Sequence, residues 1–480
     1  MAMNQSSMNR LKWTFRFVAF GLFVYVLLRA ILISFTPDEA TSYYFAIGKY
    51  NHALHSNNHI LNTQLMRVTH WLFGHSEWSL RLPNGLSFLV YCNGVWLILK
   101  RSNHLWVGLA GMAFLLLNPF ALEFFSLARG YGLSLAFSML ALGLFIQSRT
   151  NAEYAEKSHF LVVIAAFLAV LSNFNAINFI LLLFGWLIVD QARSGHGWIR
   201  RNLKSILGIG VTLTFAIGSL LILKGNDDLR FGAPSYYASF MRTARMFLYV
   251  DDQPIWFTEL MGVAVGVLVS GILLWVLLNK RFTSNLAVAL TLVIGIPFGW
   301  FVEHQFLGAN LPEGRMLVNL LPILGLVFFL MLQEIARLDS VANKGYKAVL
   351  SIVALGFVIN FGLSINLNTT HKWPDSSKTK EAIYFVGDLV EDWDEPASIE
   401  RFNIYKNSTN YYISTRKLNI ELTDDKDIKG EADILFVHLW EWERVEPLLR
   451  NKYELIWSEP NYPMRVYQSK ASIEEHRNGE

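Results

Sequence analysis

The sequence predicts a multi-pass α-helical membrane protein with about 11 transmembrane helices and a small C-terminal α/β domain. Of its 480 residues, 53% are apolar and 16% are charged, whereas a soluble domain carries about 25% charged residues. Residues 1–366 carry a net charge of +10 and residues 367–480 a net charge of −7. This composition argues against a soluble enzyme, a disordered protein and a nucleic-acid binder.

Eleven apolar windows approach the length that crosses a bilayer, about 17–25 residues. They cover roughly residues 13–35, 83–99, 104–121, 130–148, 159–174, 176–192, 205–223, 256–279, 284–302, 316–333 and 346–366. With the N-terminus inside, the inner loops hold 16 basic and five acidic residues, as the positive-inside rule requires. We therefore expect a membrane domain at 1–366 with a large first outer loop at 36–82, and an outer domain at 367–480.

Two adjacent acidic residues, Asp38 and Glu39, directly follow the first span. A carboxylate at the membrane surface suits a general base that takes a proton from an acceptor hydroxyl. Partial burial is expected to raise the pKa of Asp38 toward the working pH. The alternative is structural, because Pro37, Asp38 and Glu39 also suit the first turn of a helix.

Five of the twelve histidines lie in the first outer loop. His55 and His59 are four residues apart, and with Asp38 or Glu39 they would form a ligand set for a divalent metal. The alternative is hydrogen bonding around a polar pocket. We expect no required cofactor, with a divalent metal left open.

Cationic residues recur in the predicted outer loops, several of them where a loop meets a span. With His59, they are the candidate residues for binding the donor phosphate and the substrate: Arg129, Arg242, Arg245, His304 and Arg315. Guanidinium groups bind phosphate in a bidentate manner. Snorkelling of Arg129 to the membrane surface and an ordinary amphipathic helix around Arg242 and Arg245 are the structural alternatives. A carboxylate ringed by cations fits a reaction on a lipid-linked phosphate, whose departing charge the cations stabilise.

Four segments resemble the large-loop GT-C membrane glycosyltransferases, specifically the protein O-mannosyltransferase and aminoarabinose-transferase superfamily. Residues 37–40 resemble its Asp-Glu motif, and residues 58–60 with 73–83 resemble its segment that runs from a His-Pro-Pro to an Arg-Leu-Pro sequence. Residues 128–131 and 314–317 resemble two later arginine motifs. Ile60 and Leu61 replace the two prolines of the family pattern.

The resemblance implies a GT-C-like fold and inverting transfer of a sugar from a polyprenyl-phosphate-linked donor to a hydroxyl acceptor, which is a protein, a lipid or a glycan. It implies an active site on the outer face, with Asp38 as the base. Membrane lipid is a further expected partner, and nucleic acid is not. A transporter or flippase of a lipid-linked glycan, and an O-antigen-type polymerase or ligase, are the alternatives.

The acidic tail predicts a small α/β domain, because strand and helix patterns alternate. Strands are expected at 398–405, 434–437 and 464–467, and helices at 378–391 and 441–450. We expect a bacterial inner-membrane protein with a cytoplasmic N-terminus and a periplasmic C-terminal domain.

Overall fold

The computed structural model describes residues 3–50, 54–55, 57–149, 155–193, 195, 197–249, 254–278, 283–337, 341–423, 428–460 and 462–477. The helices before the C-terminal domain are α1 (Gln5–Leu32), α2 (Pro37–Ala46), α3 (Ile60–Phe73), α4 (Glu77–Leu99), α5 (Leu105–Leu116), α6 (Pro119–Glu123), α7 (Gly130–Ser148), α8 (Ala155–Ser172), α9 (Ile177–Ala192), α10 (Trp198–Arg201), α11 (Leu203–Gly225), α12 (Tyr236–Leu248), α13 (Ile255–Leu278), α14 (Ser284–Leu307), α15 (Leu320–Ile335) and α16 (Val341–Ser364).

Each predicted apolar window coincides with one helix, which confirms the multi-pass helical fold. The matching helices are α1, α4, α5, α7, α8, α9, α11, α13, α14, α15 and α16. Within the described ranges, seven helices are long and apolar enough to cross a membrane: α1, α4, α7, α9, α11, α14 and α16. Shorter apolar segments are α5, α15 and Ile255–Leu268 of α13.

The first outer loop contains α2 and α3, which differ in what they contact. Helix α2 buries most of its length inside the protein. Only α3 has a largely exposed apolar face, formed by Val68, Trp71, Leu72 and Phe73. Such a face with an aromatic residue at its centre suits the membrane interface.

The C-terminal domain contains one five-stranded sheet with the strand order β2-β1-β3-β5-β4. Strand β1 pairs in parallel with β2 and β3, and β5 pairs antiparallel with β3 and β4. The elements are β1 (Ala397–Arg401), β2 (Ile420–Leu422), β3 (Ile434–His438), β4 (Tyr453–Ser458), β5 (Met464–Ser469), α17 (Thr379–Leu389), α18 (Lys406–Arg416), α19 (Trp442–Leu449) and α20 (Lys470–Arg477). All predicted strands and helices of this domain are present, whereas β2, β4, α18 and α20 were not expected.

The C-terminal domain packs against the end of the bundle where α1 stops. The backbone N–H of Phe35 donates to the phenol oxygen of Tyr412 at 2.6 Å, and Lys380 pairs with Glu77 at 2.7 Å. At the other end of the bundle, Arg149 pairs with Asp190 at 2.6 Å and donates to the carbonyl of Ser284 at 2.9 Å. The C-terminal domain and the basic loops therefore lie at opposite ends.

Candidate active site

Asp38 lies where the end of α1, the start of α7 and the segment before α15 meet. Thr36 caps α2, and its hydroxyl accepts a hydrogen bond from the backbone N–H of Glu39 at 3.3 Å. This cap fixes the first turn, which carries Asp38. The Oδ2 atom of Asp38 lies 3.0 Å from Arg315 and 3.7 Å from Arg129. The structure thus brings together one predicted acid and two predicted cations from three distant segments.

Arg129 is 1% exposed, so it is not a snorkelling residue. Its Nη1 atom donates to the backbone carbonyl of Asp38 at 3.1 Å and to the hydroxyl of Ser42 at 2.9 Å. Its Nη2 atom donates to the side-chain oxygen of Asn57 at 2.5 Å. Because these protein groups occupy both ends of the guanidinium fork, Arg129 fixes the position of Asp38 and supplies a buried positive charge.

Arg315 is more accessible, with 24% of its side chain exposed. The preceding Gly314 has φ +53°, and a Cβ atom there would lie 2.4 Å from the sulfur of Met246 on α12. The N–H of Gly314 also donates to Thr243 at 2.8 Å. Helix α12 therefore holds the turn that presents Arg315. The guanidinium group of Arg315 lies 5.0 Å from the centre of the Trp373 ring.

A cavity of about 350 Å³ opens beside this pair. Asp38, His59, Tyr131 and Arg315 line one part of it. Residues at the ends of α8, α9, α11 and α14 also line it. A volume at the lower end of the range for small-molecule sites suits a single sugar or the reacting end of a larger ligand.

The pKa of Asp38 is shifted in the direction opposite to the sequence expectation. Burial is the largest single effect and raises it, but the charges of Arg129, Arg315 and Lys372 together outweigh burial and lower the pKa below the usual value. The prediction of a raised pKa is therefore wrong. The residue is a carboxylate at neutral pH.

His59 is neutral, which changes its predicted role. Burial and the nearby Arg129 and Arg315 charges lower its pKa well below the usual value. Its Nδ1 atom lies 3.1 Å from the carbonyl oxygen of Ser172. Because a carbonyl only accepts, Nδ1 carries the proton and Nε2 is an acceptor. A neutral acceptor does not stabilise a phosphate, so the geometry favours the polar-pocket alternative.

Glu39, the second predicted catalytic acid, is fully buried and faces away from the cavity. Its Oε1 atom accepts from Arg81 at 2.7 Å and from the backbone N–H of Ala128 at 2.6 Å. Its Oε2 atom accepts from Arg81 at 2.8 Å and from the N–H of Thr36 at 3.0 Å. With both oxygens bound to protein donors, Glu39 has a structural role in place of the expected catalytic one.

Three other predicted residues do not line the cavity. Arg242 is 57% exposed and pairs with Glu313 at 2.7 Å, and Arg245 lies on the same helix, α12. His304 lies near the end of its own helix, where Nδ1 donates to the carbonyl oxygen of Ala309 at 2.7 Å. Arg242 and Arg245 do not meet Asp38, because α12 presents Thr243 and Met246 to the turn at Gly314.

Two residues of the site that the sequence patterns did not indicate lie in the segment that follows α16. Lys372 contributes a positive charge at Asp38, and Trp373 packs against Arg315. A basic residue soon after a span on the outer side departs from the positive-inside rule, so Lys372 could have been found from the sequence. Tyr131, which hydrogen-bonds to Arg315, lies in a recognised motif but had no assigned role.

The proposed metal ligands do not come together. Among the described residues, no group of three His, Cys, Asp or Glu side chains is close enough to hold a metal ion. His55 and His59 lie in irregular chain rather than on one helix face. His55 instead lies 3.6 Å from Asp228.

Comparison with known proteins gives one family match and two solved structures of similar fold. Residues 60–221 match the family model described as dolichyl-phosphate-mannose-protein mannosyltransferase. The fold is similar to that of ArnT from Cupriavidus metallidurans in the apo state, with a TM-score of 0.55 and 13% identity over 96% of this chain and 98% of that one. For ArnT from the same organism bound to undecaprenyl phosphate, the TM-score is 0.53, with 13% identity over 95% and 97%. No curated protein matches the chain significantly.

The chain therefore has a fold similar to that of ArnT, and its residues 60–221 resemble the dolichyl-phosphate-mannose-protein mannosyltransferase family. The resemblance found in the sequence is thus confirmed.

Proposed function

We propose that the protein transfers a sugar from a polyprenyl-phosphate-linked donor to a hydroxyl acceptor, with inversion at the sugar carbon. The observation that carries this proposal is the contact of Asp38 with Arg315 at the mouth of a cavity sized for one sugar. The binding of undecaprenyl phosphate by a protein of similar fold supports the lipid phosphate as the donor group.

In this reaction Asp38 takes the proton of the acceptor hydroxyl while the hydroxyl oxygen attacks the sugar carbon. The bond from that carbon to the phosphate oxygen breaks, and the lipid phosphate leaves with the bonding electrons. Arg315 and Lys372 stabilise the negative charge that develops on the leaving phosphate. Arg315 suits this role because it has five N–H donors and is partly exposed to the cavity. Arg129 holds Asp38 in place.

We infer that the site faces the periplasm of a bacterial inner membrane. The basic loops at Arg149 lie at the end of the bundle opposite to Asp38 and the C-terminal domain. Positive loops are retained on the cytoplasmic side. Cysteine accessibility labelling of intact cells tests this orientation: a cysteine at exposed Asp388 is expected to react with a membrane-impermeant maleimide.

The experiment that tests the reaction follows donor consumption by the purified full chain in nanodiscs. The donor is undecaprenyl phosphate linked to a radiolabelled hexose, offered with hydroxyl acceptors from three classes: peptides, glycolipids and free glycans. We expect Asp38→Asn to lower the release of undecaprenyl phosphate by about 10²–10⁴-fold. Asp388→Asn, a matched change at an exposed residue of α17, is expected to leave it unchanged. Full activity of Asp38→Asn would falsify the mechanism.

A further inference from the structure

The part of the cavity away from Arg315 has its own set of polar groups. Glu303 and Trp300 lie near the end of α14, and Asn178 lies at the start of α9. The Nδ2 atom of Asn178 donates to Oε1 of Glu303 at 3.1 Å. Helices α9 and α14 approach closely here: a Cβ atom on Gly299 of α14 would lie 2.5 Å from the amide oxygen of Asn178. The amide and the carboxylate are therefore held in a fixed arrangement.

The charge of this region is negative. Glu303 is half-buried, and the described parts of the chain provide it with an amide partner but no ion pair. Asp228 also lines the cavity, and its described partner is His55 at 3.6 Å. The cations of the cavity, in contrast, lie at the Asp38 end. A ligand that reaches Glu303 therefore meets a carboxylate that needs hydrogen-bond donors.

His59, a second group that lines the same cavity, also accepts a hydrogen bond and lacks a donor. His59 is 5% exposed, and its Nε2 atom has no hydrogen-bond partner among the described residues. Since Nδ1 donates to Ser172, Nε2 is restricted to accepting. A buried acceptor without a partner is costly, and a ligand hydroxyl would supply the missing donor.

We propose that Glu303, Asn178, Trp300 and His59 form a monosaccharide subsite that binds the hydroxyl groups of a neutral sugar and rejects sugars that carry a carboxylate. This inference rests on the proposed function, because the phosphate of the same donor is placed at Arg315. The carboxylate of Glu303 and Nε2 of His59 accept from sugar hydroxyls, and Trp300 provides an apolar wall for one face of the ring. A uronic acid would bring a second negative charge to Glu303.

The test compares the binding of three ligands to the full chain in nanodiscs. The ligands are undecaprenyl phosphate alone, undecaprenyl phosphate linked to mannose, and undecaprenyl phosphate linked to galacturonic acid. The wild-type protein is expected to bind the mannose lipid at least about tenfold more tightly than the galacturonic acid lipid, which corresponds to one charge-assisted hydrogen bond.

The variant Glu303→Gln removes the charge and keeps the shape of the side chain. We expect it to bind undecaprenyl phosphate like the wild type, the mannose lipid about tenfold more weakly, and the galacturonic acid lipid more tightly. The opposite changes for the two sugars are a readout that a loss of folding does not produce. Glu381→Gln, an exposed carboxylate on α17, is the matched control and is expected to change none of the three affinities.

The outcomes separate the two proposals. If the wild type binds undecaprenyl phosphate but does not distinguish the two sugars, or if Glu303→Gln changes neither sugar affinity, the subsite is overturned and the proposed function stands. If the wild type binds neither undecaprenyl phosphate nor the mannose lipid, the proposed function fails, and the subsite with it. If Glu303→Gln does not give a folded protein, Glu303→Asp is used. It keeps the charge but withdraws the carboxylate by one methylene, so a mannose-lipid affinity equal to that of the wild type overturns the inference.

Discussion

The carboxylate of Asp38 and the guanidinium of Arg315 lie 3.0 Å apart at the mouth of the cavity. Cations lower the pKa of Asp38 although its burial raises it. The neighbouring cations therefore make Asp38 a weak base. An anionic phosphate bound at Arg315 would offset the positive potential and raise the pKa of Asp38, so the base gains strength when the donor is present.

The first prediction concerns the pH dependence of transfer. The active carboxylate form of Asp38 is present above its pKa and is lost as the pH falls through it. Because Arg315→Gln removes one of the cations that lower this pKa, we expect the acidic limb of the pH–rate profile to move to higher pH. Arg242→Gln, which removes an exposed arginine, is expected to leave the limb in place. An acidic limb that stays unmoved in Arg315→Gln contradicts the coupling.

The second prediction separates the two adjacent acids. Glu39→Gln breaks a fully buried pair with Arg81, so we expect the free energy of unfolding to fall by about 3–5 kcal/mol. The measurement is chemical denaturation in mixed micelles. The matched control is Glu446→Gln, which breaks an exposed pair with Arg450 and is expected to cost about 0–1 kcal/mol. Equal stabilities of the two variants would show that Glu39 has no structural role.

The two acids illustrate what the sequence predicts and what it leaves open. Thr36 and Glu39 have the spacing of a capping box, which already indicates a structural role for Glu39. Successive helical residues point about 100° apart, so only one of the two neighbours faces the cavity. Which one it is depends on the position of Arg81, 42 residues away on α4. Local spacing contains no information about that contact.

In the rest of the fold, too, local patterns predict the elements, and tertiary packing decides which side chains meet. The apolar windows are local signals, and all eleven appear as helices. Strand β2 has three residues, and α18 is polar without a clear apolar stripe, so neither gives a periodic pattern. Arg129 and Arg315 were found because they stand at span ends, whereas Arg242, predicted from the middle of an outer loop, faces outward. Tertiary packing decides between such residues.

The third prediction concerns the attachment of the segment that carries Lys372 and Trp373. Arg29 and Glu123, both nearly inaccessible, pair at 2.9 Å. Arg29 also donates to the carbonyl of Asn366 at 2.6 Å, and Glu123 accepts from the N–H of His371 at 2.8 Å. These contacts hold the segment around Lys372 and Trp373 against α1 and α6.

Glu123→Gln therefore should affect both stability and catalysis. We expect a loss of about 3–5 kcal/mol in the free energy of unfolding, because a buried charge on Arg29 loses its partner. We also expect weaker binding of undecaprenyl phosphate, because Lys372 is no longer held near Asp38. Denaturation in micelles and a binding titration measure the two effects. Unchanged values in both would contradict the role of this pair, and Glu446→Gln again serves as the exposed control.

The last prediction concerns the close approach of α7 to His59. A Cβ atom on Gly130 would lie 1.9 Å from the carbonyl oxygen of Ser172 and 2.7 Å from Cβ of His59. Because backbone atoms fill this space, Gly130→Ala is expected to displace His59, to cost about 1–3 kcal/mol of stability, and to lower transfer. Gly218→Ala on α11 is the matched control, since no atom lies within 4 Å of its added methyl group. Unfolding midpoints and donor consumption are measured for both, and wild-type values for Gly130→Ala would rule out this packing around His59.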